Sequence, residues 1–224
     1  MEKIFYQYTG IVFGVIGAVL ALVVEEVHAY SYLGLLKISG VLPVLITTLA
    51  VAGWLLGRLI QTLHVGAYTD ALTQLWNRRY FYVKFCEETN RMKRTSAPLC
   101  IALVDVDNFK NINDYFGHTT GDNVLVNIAM IIKRRTRSMD IVFRWGGDEF
   151  VILFPETNLK QAAKVAERVR VAIAKSSQCS NATISVGLVA VKEKVNEAQV
   201  IESVDKMLSQ AKKMKNLVVL SDYN

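Results

Sequence analysis

Polar and apolar positions are unevenly distributed along the chain. No charged side chain occurs from Ile4 to Val24, and a second uncharged run extends from Ile38 to Gly57. As helices, about 20 such residues cross a hydrocarbon layer of roughly 30 Å. The pattern therefore predicts a transmembrane hairpin over residues 1–64, with spans over about 4–24 and 38–57; Pro43 is tolerated near a span's end. A cleaved signal peptide fits less well, because the first run is too long, lacks a clear Ala-x-Ala exit and is followed by a second run. The short connection from Glu25 to Lys37 holds two acids and one base, whereas Lys3, Arg58, Arg78 and Arg79 flank the outer ends. The positive-inside bias then places both termini in the cytoplasm.

After a short connector at 65–69 the periodicity changes. Arg78 to Arg94 carries Tyr82, Phe85, Cys86 and Thr89 at helical spacing, and Leu99 to Val104 is a continuous apolar run that reads as a central strand buried on both faces. Gly121 to Arg135 places Val124, Leu125, Ile128, Ile131 and Ile132 on one helical stripe. Ile141 to Trp145 and Glu149 to Phe154 read as two strands of a hairpin around Gly146-Gly147. A helix over Leu159–Ala174, a strand over Ala182–Val191, a helix over Val200–Met214 and a strand over Leu217–Leu220 complete an α+β pattern. Its β-α-β-β-α-β order is ferredoxin-like, with the helices expected on one face of the sheet and the domain running over 70–224.

Composition adds two restrictions. Residues 1–64 hold three basic and three acidic side chains, so the net charge of +6 belongs to the remainder of the 224-residue chain. That charge is compatible with nucleic acid, a membrane face or an anionic small substrate, but no aromatic-basic motif for nucleic-acid binding accompanies it. Cys86, Cys100 and Cys179 form no C-x-x-C pair, which argues against a disulfide framework or a cysteine zinc site. There is no G-x-x-x-x-G-K-[ST] loop and no H-E-x-x-H helix.

Candidate chemistry lies at strand ends. Asp105 and Asp107 close the central apolar run, and residues two apart on a strand point the same way. Gly146-Gly147 delivers Asp148 and Glu149 at the start of a neighbouring strand. Carboxylates gathered on adjacent strand ends suit Mg²⁺, which takes oxygen ligands and is held by one or two carboxylates together with substrate phosphates.

The run Arg144-Trp145-Gly146-Gly147-Asp148-Glu149-Phe150 resembles the signature loop of GGDEF-domain diguanylate cyclases. Asp105-Val106-Asp107-Asn108-Phe109-Lys110-Asn111-Ile112-Asn113-Asp114, followed by Gly117-His118 and Gly121-Asp122, resembles the family's D-x-D-x-F-K-x-I-N-D-x-x-G-H-x-x-G-D segment, and Asp70-Ala71-Leu72-Thr73 with Asn77-Arg78-Arg79 resembles its opening motif. The similarity covers about Asp70 to Leu220.

The resemblance implies a polymerase-like palm in which two GTP molecules, one on each domain of a homodimer, condense to cyclic di-GMP with loss of pyrophosphate. It implies Asp105, Asp148 and Glu149 as catalytic and metal-binding residues, with the Val106 carbonyl as a further ligand and Mg²⁺, or Mn²⁺ in its place, as the cation. Glu149 would serve as a ligand or help to deprotonate the 3′-hydroxyl. Lys110 and Lys212 match triphosphate contacts, although each alone reads as part of a solvated helix face. Asn113 and Asp122 match the guanine readers, and Gly146 and Gly147 match positions where backbone approaches the nucleotide. Arg137 and Asp140 resemble the R-x-x-D inhibitory site for cyclic di-GMP. With the hairpin, this gives a multi-pass protein of the inner membrane whose catalytic domain is cytoplasmic.

Gln74 stands where the family has glycine, Ser209 where it has tyrosine, and Lys212-Lys213-Met214-Lys215-Asn216 lacks the G-R-N ending. These departures leave a rival reading, a non-catalytic receptor for GTP or cyclic di-GMP that signals through protein contacts.

Overall fold

The computed structural model describes residues 41–191 and 197–221, together with Gly14, Gly17, Ala18, Ala21, Leu22 and Glu25, which are helical. It divides into two compact units, residues 1–67 and 68–224.

Helix α1 spans Val41–Tyr68, all but its last residue in the first unit, with Pro43 at its start, where the missing N–H costs nothing. Thr47 and Thr48 donate their hydroxyls to the Val44 carbonyl at 3.0 and 2.9 Å. The expected connector at 65–69 is helical through Tyr68. The expected span over 4–24 lies almost wholly outside the described residues. Among the described residues no helix is long and apolar enough to cross a membrane.

The second unit is built on one six-stranded sheet. In chain order its elements are β1 (Trp76–Asn77), α2 (Arg78–Thr95), β2 (Leu99–Val106), α3 (Phe109–Phe116), α4 (His118–Arg135), β3 (Ile141–Arg144), β4 (Glu149–Pro155), α5 (Leu159–Ala174), a 3₁₀ turn (Ser177–Cys179), β5 (Ile184–Val191), α6 (Glu197–Met214) and β6 (Val218–Ser221). The sheet order is β1-β3-β4-β2-β5-β6. The four inner strands pair antiparallel, and β1 and β6 join the edges in parallel. This is the ferredoxin-like arrangement that the element order predicts.

The helices do not lie on one face, as expected, but on both. Cys100, Ala102 and Val104 of β2 pack with Val124, Leu125 and Ile128 of α4 and Val165 and Val169 of α5. The alternate residues Leu99, Ile101 and Leu103 pack with Phe81 and Phe85 of α2 and Val204 and Leu208 of α6. An unbroken apolar strand needs cover on each side, and all eight residues of β2 are buried.

Local sequence sets the helix ends. Asn77 caps α2 by accepting from the Tyr80 N–H at 3.1 Å, and Asn158 and Gln161 form a reciprocal capping box at the start of α5. Helix α4 begins at His118, three residues ahead of the expected Gly121, because Gly117 adopts φ 82° and lets α3 break into α4 without a loop. The short α3 escapes the hydrophobic pattern, since Ile112 is its one buried residue.

Candidate active site

The end of β2 and the β3–β4 turn bring the acids together. Asp105 and Glu149 are direct partners in the antiparallel β2–β4 ladder, so their side chains leave the same face. Asp148 precedes Glu149 in the turn, and its carbonyl accepts the Val106 N–H at 3.2 Å. Lys212, in the last turn of α6, reaches back to Asp105, with Nζ 2.6 Å from Oδ2. Burial pushes the Asp105 carboxyl up to about 6, helped by the neighbouring Asp148 and Glu149 charges and only partly countered by Lys212. Burial acts to lower the Lys212 ammonium's value, but its bond to Asp105 and the surrounding acids outweigh that and raise it.

Asp107 departs from the expected pairing with Asp105. The strand ends at Val106, and Asp107 turns inward, accepting the Thr183 and Ser185 hydroxyls at 2.6 Å each and the Asn216 N–H at 2.9 Å. It ties the end of β2 to the start of β5 and to the segment after α6, and is spent on structure.

The glycine turn is held from behind. Trp145 N–H donates to the Glu149 carbonyl at 2.8 Å. The Arg144 guanidinium donates to the carbonyls of Gly146 and Gly147 at 3.2 and 2.7 Å and pairs with Asp70 Oδ1 at 2.9 Å. Burial would raise the Asp70 carboxyl, but hydrogen bonds from Thr73 and Arg144 prevail and hold it below the ordinary range. Neither Gly146 nor Gly147 needs a left-handed backbone, and a Cβ on Gly147 would meet nothing within 4 Å. Glycine at 147 keeps the outside of the turn open to a ligand, whereas a Cβ on Gly146 would lie 3.0 Å from Glu149 Oε2 and press on that carboxylate.

Lys110 lies on the first turn of α3 and is exposed, as is Asp122 on α4. Asn113 lies against the start of α4, where a Cβ on Gly121 would fall on its Oδ1. Gly121 thus lets Asn113 sit beside Asp122, and the two candidate guanine readers share one corner.

The donors fit a hard divalent cation in kind: carboxylate oxygens of Asp105, Asp148 and Glu149, whose mutual repulsion favours a cation among them. As the side chains stand, no group of three or more His, Cys, Asp or Glu among the described residues is gathered tightly enough to hold one, and it is the Lys212 ammonium that touches Asp105.

The sequence pattern that defines the family "Diguanylate cyclase, GGDEF domain" matches residues 67–216, more than half of the chain. The chain belongs to this GGDEF family. It is 38% identical over 159 residues to diguanylate cyclase DgcM of Escherichia coli strain K12, a match covering 69% of this chain and 38% of that one. It is 36% identical over 166 residues to diguanylate cyclase A of Treponema denticola, covering 70% of this chain and 45% of that one. The chain thus spans less than half the length of these curated relatives. Among solved structures, the coiled coil and GGDEF domain of DgcB from Caulobacter crescentus, in complex with c-di-GMP, superposes with a TM-score of 0.72 at 28% identity, covering 79% of this chain and 99% of that one. The diguanylate cyclase SiaD from Pseudomonas aeruginosa, in complex with its activator SiaC, gives 0.67 at 29% identity, covering 98% of this chain and 84% of that one.

Arg137 and Asp140 of this GGDEF domain lie apart from the acids. Asp140 precedes β3 and Arg144 ends it, which separates the two places by roughly 13 Å along the strand. Asp140 is buried; its Oδ2 accepts the Arg137 N–H at 2.7 Å, while its Oδ1 is enclosed with no hydrogen-bond partner among the described residues. Burial raises its carboxyl despite the positive charges of Arg137 and Arg168. A cleft of ≈ 380 Å³ opens here, with Lys133, Arg137 and Asp140 beside Gln74 and Trp76. Sequence reading missed three things: the contributions of Lys133 and Arg168, the Asp70–Arg144 pair, and the Lys212–Asp105 contact. The Asp70-x-x-Thr73 spacing was a usable signal for the second of these, because it marks a side-chain-to-backbone turn; the others depend on tertiary contact.

Proposed function

We propose that the chain is a diguanylate cyclase, joining two GTP into cyclic di-GMP and releasing two pyrophosphates. The observation that carries this reading is the pairing of Asp105 with Glu149 across the β2–β4 ladder, beside an open glycine turn and within reach of Lys212. The rival receptor reading loses ground to the same observation, since an unused buried carboxylate, Asp105, facing the half-buried Glu149 is costly to keep.

Asp105, the Val106 carbonyl, Asp148 and Glu149 would hold Mg²⁺ or Mn²⁺. When bound, the cation offsets charge on the triphosphate and makes the 3′-hydroxyl easier to ionise. Gly146 and Gly147 leave room for the nucleotide's backbone-side approach. Lys110 and Lys212 supply point charges to the phosphates. Asn113 and Asp122 read guanine, the carboxylate accepting from N1–H and the 2-amino group, a donor pair that adenine lacks. Glu149 accepts the 3′-hydroxyl proton. Each domain binds one GTP, so attack of one 3′-oxygen on the other α-phosphorus requires two facing copies, and the active species is a homodimer.

Arg137 and Asp140 would bind the cyclic product, a role supported by the unpartnered Asp140 oxygen and the adjoining cleft. Attachment to the inner membrane through residues 1–64 belongs to the same proposal. It is supported by the two uncharged runs, by exposed Leu45, Leu49, Trp54, Leu55 and Leu56 on α1, and by Gly17, where a Cβ would lie 3.5 Å from Ile46. Such a surface requires an apolar cover.

The 224-residue chain incubated with GTP and Mg²⁺ is expected to yield cyclic di-GMP and pyrophosphate in a 1:2 ratio, resolved by chromatography, and Asp148→Ala to lower the rate by at least about 100-fold. A folded wild type that binds GTP yet forms no product would overturn the reading.

A further inference from the structure

We propose that Lys212 is a built-in occupant of the cation site: its ammonium holds the Asp105 carboxylate until a divalent cation displaces it, and displacement frees it for the nucleotide's phosphates. The inference rests on the reading of Asp105 as a cation ligand. Three features support it.

First, the contact is specific. Lys212 Nζ lies 2.6 Å from Asp105 Oδ2, on a side chain that is 45% exposed while the Asp105 side chain is only 8% exposed. The ammonium thus approaches a sheltered carboxylate from the solvent side, the side from which an ion must enter. Second, the helix that carries Lys212 cannot withdraw. Just beyond α6, Lys215 donates to Asn108 Oδ1 at 2.7 Å and the Asn216 N–H donates to Asp107 Oδ2 at 2.9 Å. Both partners follow Asp105 closely in the chain, so the helix end is fastened to the segment that bears the carboxylate. Only the flexible four-carbon stem of Lys212 is left to move.

Third, the two cations compete for the same carboxylates. The groups facing the ammonium are Asp105 from β2 and Asp148 and Glu149 from the turn and β4. A divalent ion held by these carboxylates would stand close to the ammonium, and like charges brought together in a partly buried site repel. The incoming phosphates offer the displaced ammonium a new anion. Cation and nucleotide therefore bind with positive coupling, since each removes an obstacle to the other.

The test is titration with Mn²⁺, followed by electron paramagnetic resonance of the free ion, on the intact chain and the variants Lys212→Met, Lys213→Met and Asp105→Asn. Without nucleotide, Lys212→Met is expected to tighten Mn²⁺ binding about tenfold. Lys213→Met, which removes the same charge one residue along, is expected to leave it unchanged. With a non-hydrolysable GTP analogue present, the wild type gains affinity for Mn²⁺ and Lys212→Met gains much less. Equal or weaker binding by Lys212→Met without nucleotide, or an equal tightening by Lys213→Met, overturns the proposal while leaving the cation site standing. Wild-type affinity in Asp105→Asn, or no Mn²⁺ binding by any of the proteins, overturns the cation site itself and the proposal with it.

Discussion

Asp105 faces Glu149 across the ladder, in a register where like charges oppose each other directly. Its carboxyl lies at about 6 against an ordinary 3.8, so the folded protein holds a proton there that the unfolded chain releases. Stability from this group therefore falls as pH rises from roughly 4 to 6, and the full penalty is present above that. Asp105→Asn should stabilise the fold at pH 8 by on the order of 1–2 kcal/mol, a discounted two units at about 1.4 kcal/mol each, and by nothing at pH 4, while abolishing product formation. Urea melts at the two pH values check this; a variant less stable than wild type at pH 8 refutes it. Gln74 is the second informative position. It sits at φ 56°, in the left-handed region, with its N–H bonded to the Asp70 carbonyl at 3.0 Å. The departure from glycine noted in the sequence therefore has a backbone cost. Gln74→Gly should raise stability by about 0.5–1 kcal/mol, read from the denaturation midpoint, because glycine meets no steric penalty there.

At the scale of elements, the site depends on how closely α6 lies on β5. Gly187 is the contact: a Cβ there would collide with the backbone of Leu208 and Val204, atoms that no rotamer change can move aside. Gly187→Ala must therefore lift α6, which carries Lys212 and leads to the segment clamped by Asp107. The expected loss is about 2–4 kcal/mol in urea unfolding, with a fall in GTP affinity measured by calorimetry. An alanine variant with wild-type stability would show that α6 is free to slide. The same close approach explains why an apparently ordinary glycine in an apolar strand is needed, although the strand pattern around it gives no hint of it.

Two candidate sites lie at opposite ends of β3, the acids and glycine turn at one and Asp140 at the other. On the proposed reading each chain supplies half a site, which would make activity a property of the assembly. Turnover per chain should fall in proportion to dilution once the protein is below its dimer dissociation constant, and light scattering should show dimers vanishing over the same range. Constant turnover per chain in a monomeric sample would contradict the two-copy mechanism.

Local pattern determined much of this protein. Apolar runs and period-3.6 repeats located the strands and helices of the second unit other than β1 and α3, and the turn chemistry of Gly146-Gly147 located the hairpin, because these signals depend on neighbours within a few residues. The apolar run of β2 even required cover on both faces, which the one-face expectation overlooked. Candidate site residues were legible as types and spacings, since short strands aim alternate side chains in fixed directions. What the sequence left open was which of those groups touch. Asp105 and Asp107 look equivalent in the chain, yet one faces Glu149 and the other is consumed by Thr183, Ser185 and Asn216. Arg144 meets Asp70 and Lys212 meets Asp105 only because strand register and helix packing close separations of many tens of residues, and no local preference encodes a contact of that range.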